Sequence, residues 1–174
     1  MIQNLNAKAV KPVYTSTIGF YRYKQFKTGG CVEIIQGYIR RSDHKDLFTV
    51  ARAFAMKGKK VQITTDIHHK DEKYKQIFGK LIGTIYERKC PDLIIDEEFY
   101  EYESFIPPFK KRKIANMISH GLQQSAKLII NNNKGCSDRF ILRAIRNRLI
   151  DKCFKGNIEE IWLYEKGNVR KILW

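Results

Sequence analysis

Acidic side chains are concentrated in one short segment of this 174-residue chain. The chain has 18 Asp and Glu residues, and six of them lie between positions 92 and 103. The apolar and aromatic runs at 93–95 and 99–103 are typical of short strands, and the polar residues between them predict a tight turn. The segment is therefore predicted to be a hairpin, and its acids are Asp92, Asp96, Glu97, Glu98, Glu101 and Glu103.

Three of these carboxylates are placed where they would meet. Asp92 begins the first predicted strand, and Glu101 and Glu103 lie two positions apart on the second, so period-two alternation turns both toward one face. Carboxylates at close range repel one another unless they bind a cation, and hard oxygen ligands suit Mg²⁺ or Mn²⁺. Such an ion polarises a phosphate and activates water, which is the chemistry of phosphodiester hydrolysis. Residues 96–98, at the tip, are predicted to be a solvated turn.

The elements around this hairpin predict an α/β protein of the α+β kind, with a single mixed β-sheet flanked by helices. Apolar residues at three- and four-residue spacing predict the helices, and short alternating runs bounded by turn residues predict the strands. The predicted elements, in chain order, are a hairpin at 13–39, a helix at 42–58 capped by Ser42 or Asp43, a strand at 61–65, a short helix at 74–81, the acidic hairpin, a helix at 110–124, a strand at 127–130, a helix at 137–154 that buries Leu149, and a hairpin at 158–174.

Composition narrows the class of protein. Lys and Arg total 33, which gives a formal charge of +15 and favours polyanionic partners, nucleic acid first among them. No stretch approaches the ~20 apolar residues of a spanning helix, and no signal peptide is evident, so a cytoplasmic protein without membrane association is expected. The four cysteines are scattered and predict neither a zinc site nor a disulfide framework. The length suits one domain, residues 13–174, after a loose basic arm, residues 1–12.

Basic side chains on two predicted helices are candidates for binding a phosphate backbone. Arginines at spacings of four and three share one face of the second of these helices. The candidates are Lys110, Lys111, Arg112 and Lys113 on the first helix, and Arg139, Arg143 and Arg146 on the second.

Short motifs in the middle of the chain carry a family resemblance. Alanines at 51, 53 and 55 on a helix precede Gly58-Lys-Lys-Val61, and the hairpin reads Pro91-Asp-Leu-Ile-Ile95 followed by Phe99-Tyr-Glu-Tyr-Glu-Ser104. This order resembles the PD-(D/E)XK nuclease superfamily. More narrowly, it resembles the tRNA-cleaving C-terminal domains of bacterial contact-dependent inhibition toxins. The resemblance covers roughly residues 29–131, about three fifths of the chain.

The resemblance implies a restriction-endonuclease-like core and assigns roles to individual residues. Asp92 and Glu101 would bind the metal, Mg²⁺ or Mn²⁺. Asp46 would match the acid on the first helix, and Gln124 the glutamine on the helix after the hairpin. The implied substrate is RNA, tRNA in particular, rather than DNA, and the implied partner is a cognate immunity protein.

Glu103 departs from the family pattern. It stands where the family has a lysine that steadies charge at the reacting phosphate, and a glutamate cannot supply that charge. A lysine or arginine from residues 110–113 would then have to reach the site, or the fold persists with altered or lost catalysis.

Other functions remain open. His120, with Gln124 one helical turn further on, could act as a general base. Together with Ser137 and Arg139 it would suit a metal-independent ribonuclease of the barnase-like or RelE-like kind. A non-catalytic nucleic-acid-binding or mobile-element accessory protein is a second alternative. A protein-interaction module, whose acidic hairpin recognises a basic partner, is a third.

Overall fold

The computed structural model describes residues 19–39, 44–104, 111–133, 135–151, 154 and 156–173. The predicted arm at 1–12, the predicted caps Ser42 and Asp43, and Lys110 lie outside the described residues, as does the side chain of Lys111. Within these ranges, no helix has the length and apolar character needed to cross a membrane.

Eight strands form one mixed β-sheet in which each strand pairs with its neighbour in sequence. The strands are β1 (Phe20–Gln25), β2 (Cys31–Ile35), β3 (Lys60–Ile63), β4 (Leu93–Ile95), β5 (Glu98–Ser104), β6 (Lys127–Asn131), β7 (Glu160–Glu165) and β8 (Asn168–Leu173). The helices of the described residues are α1 (His44–Ala55), α2 (Glu72–Phe78), α3 (Lys111–Gly121) and α4 (Asp138–Leu149), with a short 3₁₀ helix at Gly79–Leu81. The predicted single mixed sheet flanked by helices is confirmed.

The connections explain which strands are parallel. Tight turns join β1 to β2, β4 to β5 and β7 to β8, and these pairs are antiparallel. α1 connects the parallel pair β2 and β3, whereas α3 and α4 connect β5 to β6 and β6 to β7, which are also parallel. Parallel neighbours need such a crossover.

The sheet has a hydrophobic core on each face. One core includes α1 together with Tyr100 and Tyr102 of β5. The other includes α3 and α4 together with Leu128 and Ile130 of β6. Because successive side chains of a strand point to opposite faces, the β5 residues that alternate with the two tyrosines belong to the α3 side.

The sheet curls around α1. This helix contacts β2 and β3 and also β8 at the far edge of the sheet, and Phe54 lies edge-on to Trp162 of β7 with ring centroids 5.0 Å apart. Strands are about 4.8 Å apart, and a helix is about 10 Å wide. A flat sheet would therefore hold β2 and β8 too far apart for one helix to contact both.

The acidic hairpin closes through a two-residue turn. Asp96 and Glu97 both have positive φ, 46° and 71°, which is the pattern of a type I′ turn. Asp96 accepts a hydrogen bond from the Lys60 amide at 2.9 Å and lies 2.8 Å from Lys59 Nζ. Burial alone would raise the pKa of Asp96, but these bonds to Lys59 and Lys60 outweigh it and hold the pKa below its usual value. Asp96 therefore fastens the turn to the start of β3.

The N-terminus of α4 is capped and anchored. Ser137 accepts a hydrogen bond from the amide of Phe140, as the sequence predicted. Arg170 of β8 donates to both carboxylate oxygens of Asp138, at 2.6 and 2.7 Å, and to Glu165 at 2.8 Å. These bonds lower the pKa of Asp138 and of Glu165.

The C-terminal end of α4 differs from the prediction. The helix ends at Leu149 rather than near residue 154, and Leu149 is 50% exposed rather than buried. The buried stripe of Ile141 and Ile145 continues at Arg148, one turn on, so Leu149 lies beside the stripe. Hydrophobic spacing did predict the helix, but an arginine occupies its last inward position.

Candidate functional site

Two glutamates of β5 enter the α3 side of the sheet. Glu101 and Glu103 pair in register with Leu128 and Ile130, which belong to the α3–α4 core. They share a face because they are two positions apart, as the sequence predicted. Glu101 is only 8% exposed. A carboxylate at this depth must be satisfied by hydrogen bonds or by a positive charge.

His120, near the end of α3, reaches these carboxylates. Its Nδ1 lies 2.6 Å from Oε1 of Glu103. The Glu103 side chain is 15% exposed and that of His120 is 63% exposed, so the imidazole forms the outer edge of the cluster. One potential ligand atom from each of Glu101, Glu103 and His120 falls within 4.8 Å of the others. The three side chains are thus close enough to bind one metal ion together.

Asp92 directly precedes β4 and is hydrogen-bonded to β5. Its carboxylate accepts a hydrogen bond from the Tyr102 amide at 3.3 Å, and its own amide donates to Oε2 of Glu101 at 3.3 Å. This exchange fixes the start of β4 against β5. Asp92 is therefore bonded to Glu101 through its backbone amide, but the side chains that converge are those of Glu101, Glu103 and His120.

Gly121 provides the space that Glu103 occupies. A Cβ at position 121 would collide with Cδ1 of Leu128 and would lie 2.9 Å from Cγ of Glu103. Any larger residue at position 121 would therefore force Leu128, Glu103 or the end of α3 to shift. The closeness of His120 to Glu103 depends on this glycine.

Gly121→Ala is expected to lower the free energy of unfolding by about 1–3 kcal/mol through overpacking. The expected change in the free energy of unfolding is opposite in sign to the usual effect of this substitution in a helix, where alanine is more favourable than glycine by roughly 1 kcal/mol. Chemical denaturation measures the change. Gly79→Ala is the matched control, because Gly79 has αR angles and no atom lies within 4 Å of the position that its Cβ would occupy. A Gly121→Ala protein as stable as the wild type would show that the close approach is not required.

Asp46 does not join the cluster. It is exposed in the first turn of α1, and α1 packs on the face of the sheet opposite to Glu101 and Glu103. The predicted convergence of a first-helix acid with the hairpin acids is therefore not found in this fold.

Gln124 lies beyond the helix on which it was predicted. α3 ends at Gly121, and Gln124 closes a turn by donating its amide to the Gly121 carbonyl at 2.9 Å. His120 and Gln124 are therefore not neighbours on one helical face. Gly121 and the polar residues 123–125 end the helix earlier than the hydrophobic spacing predicts.

The predicted phosphate-binding residues lie on α3 and α4, which pack side by side. Among the described side chains, Arg112, Lys113, Arg139, Arg143 and Arg146 are all exposed. A groove of about 460 Å³ runs between the helices and is lined by Arg112, Arg143 and the ring of Phe140, among others. The guanidinium of Arg143 lies 5.8 Å from the centre of that ring. The two helices thus contribute cations to one surface.

His120, Ser137 and Arg139 are not brought together. Both helices are crossovers between parallel strands, so they run in the same direction. Ser137 and Arg139 lie at the start of α4, while His120 lies at the end of α3. Ser137 is also engaged as the α4 cap. The metal-independent triad predicted from these residues does not form.

The pairing of Glu103 with His120 was missed by the sequence reasoning, which placed the two residues in competing hypotheses. They are 17 positions apart and meet only because α3 crosses over β5. The available signal was the strand, helix, strand order from β5 to β6, which lays the connecting helix against one face of the sheet.

A scan of protein-family models, a search of curated proteins and a search of solved structures each found no match to this chain.

The donor set of the cluster suits some divalent metals better than others. Two carboxylates and one imidazole offer mixed oxygen and nitrogen ligands. Mg²⁺ prefers oxygen ligands, whereas imidazole suits transition metals. Mn²⁺ accepts both, and so it fits Glu101, Glu103 and His120 better than Mg²⁺ does.

Proposed function

We propose that this protein is an RNA-directed phosphodiesterase whose reacting centre is formed by Glu101, Glu103 and His120 with a divalent metal ion, Mn²⁺ in preference to Mg²⁺. The observation that carries the proposal is the convergence of these three side chains within 4.8 Å, at a site buried on one side and open at His120. A bound metal ion would polarise the reacting phosphate and activate water.

The order of the elements supports the proposal. A helix, a strand, the acidic hairpin and a further helix occur in the order α1, β3, β4–β5 and α3, with α2 and the 3₁₀ helix between β3 and β4. This is the order that the resemblance to PD-(D/E)XK nucleases implies. In that comparison Asp92 and Glu101 are both metal ligands. In the present proposal Glu101 binds the ion, and Asp92 positions it through the hydrogen bond from its amide.

His120 takes the place of the missing motif lysine in this proposal. Arg112 and Lys113 lie at the start of α3, whereas His120 lies at its end and contacts Glu103. Of the described residues, His120 is the basic group that reaches the glutamates. Its imidazole can bind the metal or transfer a proton. Glu103, which replaces the lysine, orients it.

The basic helices would hold the rest of the substrate. The net charge of +15 attracts a polyanion, and the exposed cations of α3 and α4 neutralise its phosphates. We favour RNA over DNA, with tRNA as the narrower candidate. A cytoplasmic location and a cognate immunity protein belong to the same proposal.

A second candidate function is metal-independent cleavage of RNA. The observation that favours it is the 2.6 Å contact between Nδ1 of His120 and Glu103. A carboxylate that holds one ring nitrogen leaves Nε2 free to accept the proton of a ribose 2′-hydroxyl. The 2′-oxygen then attacks the adjacent phosphorus and the P–O5′ bond breaks. The products would be a 2′,3′-cyclic phosphate and a 5′-hydroxyl, which takes its proton from the imidazolium or from water. RNA supplies the nucleophile, so the protein needs none.

Cleavage of an end-labelled single-stranded RNA, with Mn²⁺ or with a chelator, separates the two candidates. The proposal expects cleavage in Mn²⁺, weaker cleavage in Mg²⁺ and none in the chelator. Cleavage that persists in the chelator would favour the metal-independent candidate. Salt-dependent RNA binding without cleavage under either condition would contradict both and favour the non-catalytic alternative.

A further inference from the structure

A second pocket lies beside the end of α3. None of the residues that line it was a functional candidate from the sequence. Its volume is about 290 Å³, near the lower end of the range for small-molecule sites. Its walls come from four separate parts of the chain. They include Tyr86 before β4, Gln123 after α3, Arg148 at the end of α4, and Phe154 before β7.

Arg148 has a hydrogen-bond donor that the described residues leave unused. Its Nη1 donates to Asp151 at 2.6 Å, and its guanidinium lies 4.9 Å from the centre of the Phe154 ring. Its Nε is buried and has no hydrogen-bond acceptor in the described part of the chain. A buried N–H without an acceptor is unfavourable, so the described residues leave the Arg148 guanidinium incompletely satisfied.

The aromatic walls of the pocket are fixed in place. The Tyr86 hydroxyl donates to the Asn157 carbonyl and accepts from the Asn157 amide, each at 3.1 Å. Phe154 lies where a side chain at position 156 would be. A Cβ on Gly156 would collide with its Cζ and lie 2.6 Å from its Cε2. The two rings are therefore held before any ligand arrives.

The pocket lies at the same end of α3 as His120. The amide of Gln123, in the pocket wall, donates to the carbonyl of His120 at 3.0 Å. The pocket wall and His120 are therefore about one turn apart along the backbone. Flat aromatic and guanidinium surfaces next to a hydrogen-bond donor are what proteins use to recognise unpaired bases.

We infer that this pocket binds one unpaired base of the RNA substrate, next to the phosphate that is cleaved. The base stacks on the rings of Tyr86 and Phe154, and the guanidinium of Arg148, which lines the pocket, donates to an acceptor on its edge. Lys89, which also lines the pocket, is available to the attached phosphate. The inference rests on the proposed function for the identity of the substrate, and it makes this pocket the source of sequence preference.

The inference is tested by titrating the full chain with each of the four nucleoside 5′-monophosphates and with inorganic phosphate, followed by NMR. The wild type is expected to bind at least one nucleotide more tightly than phosphate. Phe154→Leu removes a stacking surface and is expected to weaken that binding by about tenfold. Gly156→Ala displaces the same ring and is expected to act in the same direction.

Two further variants keep the test interpretable. Arg148→Gln should lower the affinity without removing a ring. Ile150→Ala, at an exposed side chain that is absent from the pocket lining, is the control and should bind as the wild type does. Melting curves show which variants are folded. Equal affinity of the wild type for nucleotides and phosphate, or equal nucleotide affinity in all folded variants, would overturn the inference.

Sequence preference in RNA cleavage separates this inference from the proposed function. The expected result is that Phe154→Leu cleaves a mixed-sequence RNA with less preference than the wild type. If both cleave with the same preference, the pocket is not a base site although the phosphodiesterase stands. If nucleotides bind in the pocket but no RNA is cleaved, the phosphodiesterase is wrong and the base site stands.

Discussion

Replacement of His120 by alanine is expected to lower the rate of RNA cleavage by about 100- to 10,000-fold, the range over which a positioned acid or base contributes. His120 is the exposed member of the cluster and the one whose ring can transfer a proton. The loss is expected in both candidate mechanisms, because the imidazole acts as metal ligand in one and as base in the other. Single-turnover cleavage of a labelled RNA measures the effect.

The fold should survive this substitution. The His120 side chain is 63% exposed, so its removal takes little surface out of the core, and the melting temperature should change by no more than about 4 °C. Asn116→Ala, at an exposed position of the same helix, is the matched control and should cleave at the wild-type rate. A His120→Ala protein that cleaves within about threefold of the wild type would remove His120 from the reaction.

Addition of Mn²⁺ is expected to stabilise the wild type and to leave Glu103→Gln nearly unchanged. At a concentration of 100 Kd, a ligand that binds only the folded state adds about 2.7 kcal/mol. For a chain of this size that corresponds to an increase of roughly 5–10 °C in melting temperature. Glu103→Gln keeps the shape of the side chain but removes the charge that attracts the cation. Thermal denaturation at a series of Mn²⁺ concentrations measures the effect.

The hairpin itself supplies the control for this experiment. Glu97→Gln also removes one negative charge, but Glu97 lies in the turn at the tip of the hairpin with its side chain 87% exposed. It should respond to Mn²⁺ as the wild type does. If Glu103→Gln is stabilised as strongly as the wild type, the ion binds elsewhere.

Much of the fold was predictable because its signals are local. The acidic hairpin follows from two short apolar runs and a polar turn. Of the predicted turn residues 96–98, Asp96 and Glu97 form the turn, whereas Glu98 is the first residue of β5. α1 and α4 follow from hydrophobic spacing, and Ser137 was correctly identified as a cap. The helix ends were less predictable, because Arg148 continues an inward stripe that hydrophobicity alone does not reveal.

The site was only partly predictable, since it depends on which face of the sheet each helix covers. Period-two alternation was enough to place Glu101 and Glu103 together. The spacing of residues does not reveal that α1 packs on the opposite face of the sheet. Asp46 was therefore predicted to lie with Glu101, although it lies on the other side. The same missing information hid the contact of His120 with Glu103, which α3 makes after crossing the sheet.

The most direct test of the central claim is the rate of RNA cleavage by the wild-type protein as a function of Mn²⁺ concentration. If Glu101, Glu103 and His120 bind the ion that acts in the reaction, cleavage should be absent without metal and should saturate with it. The half-saturating concentration should equal the Kd obtained from thermal stabilisation. Cleavage that is independent of Mn²⁺ would contradict the account. So would the absence of cleavage at a Mn²⁺ concentration far above that Kd.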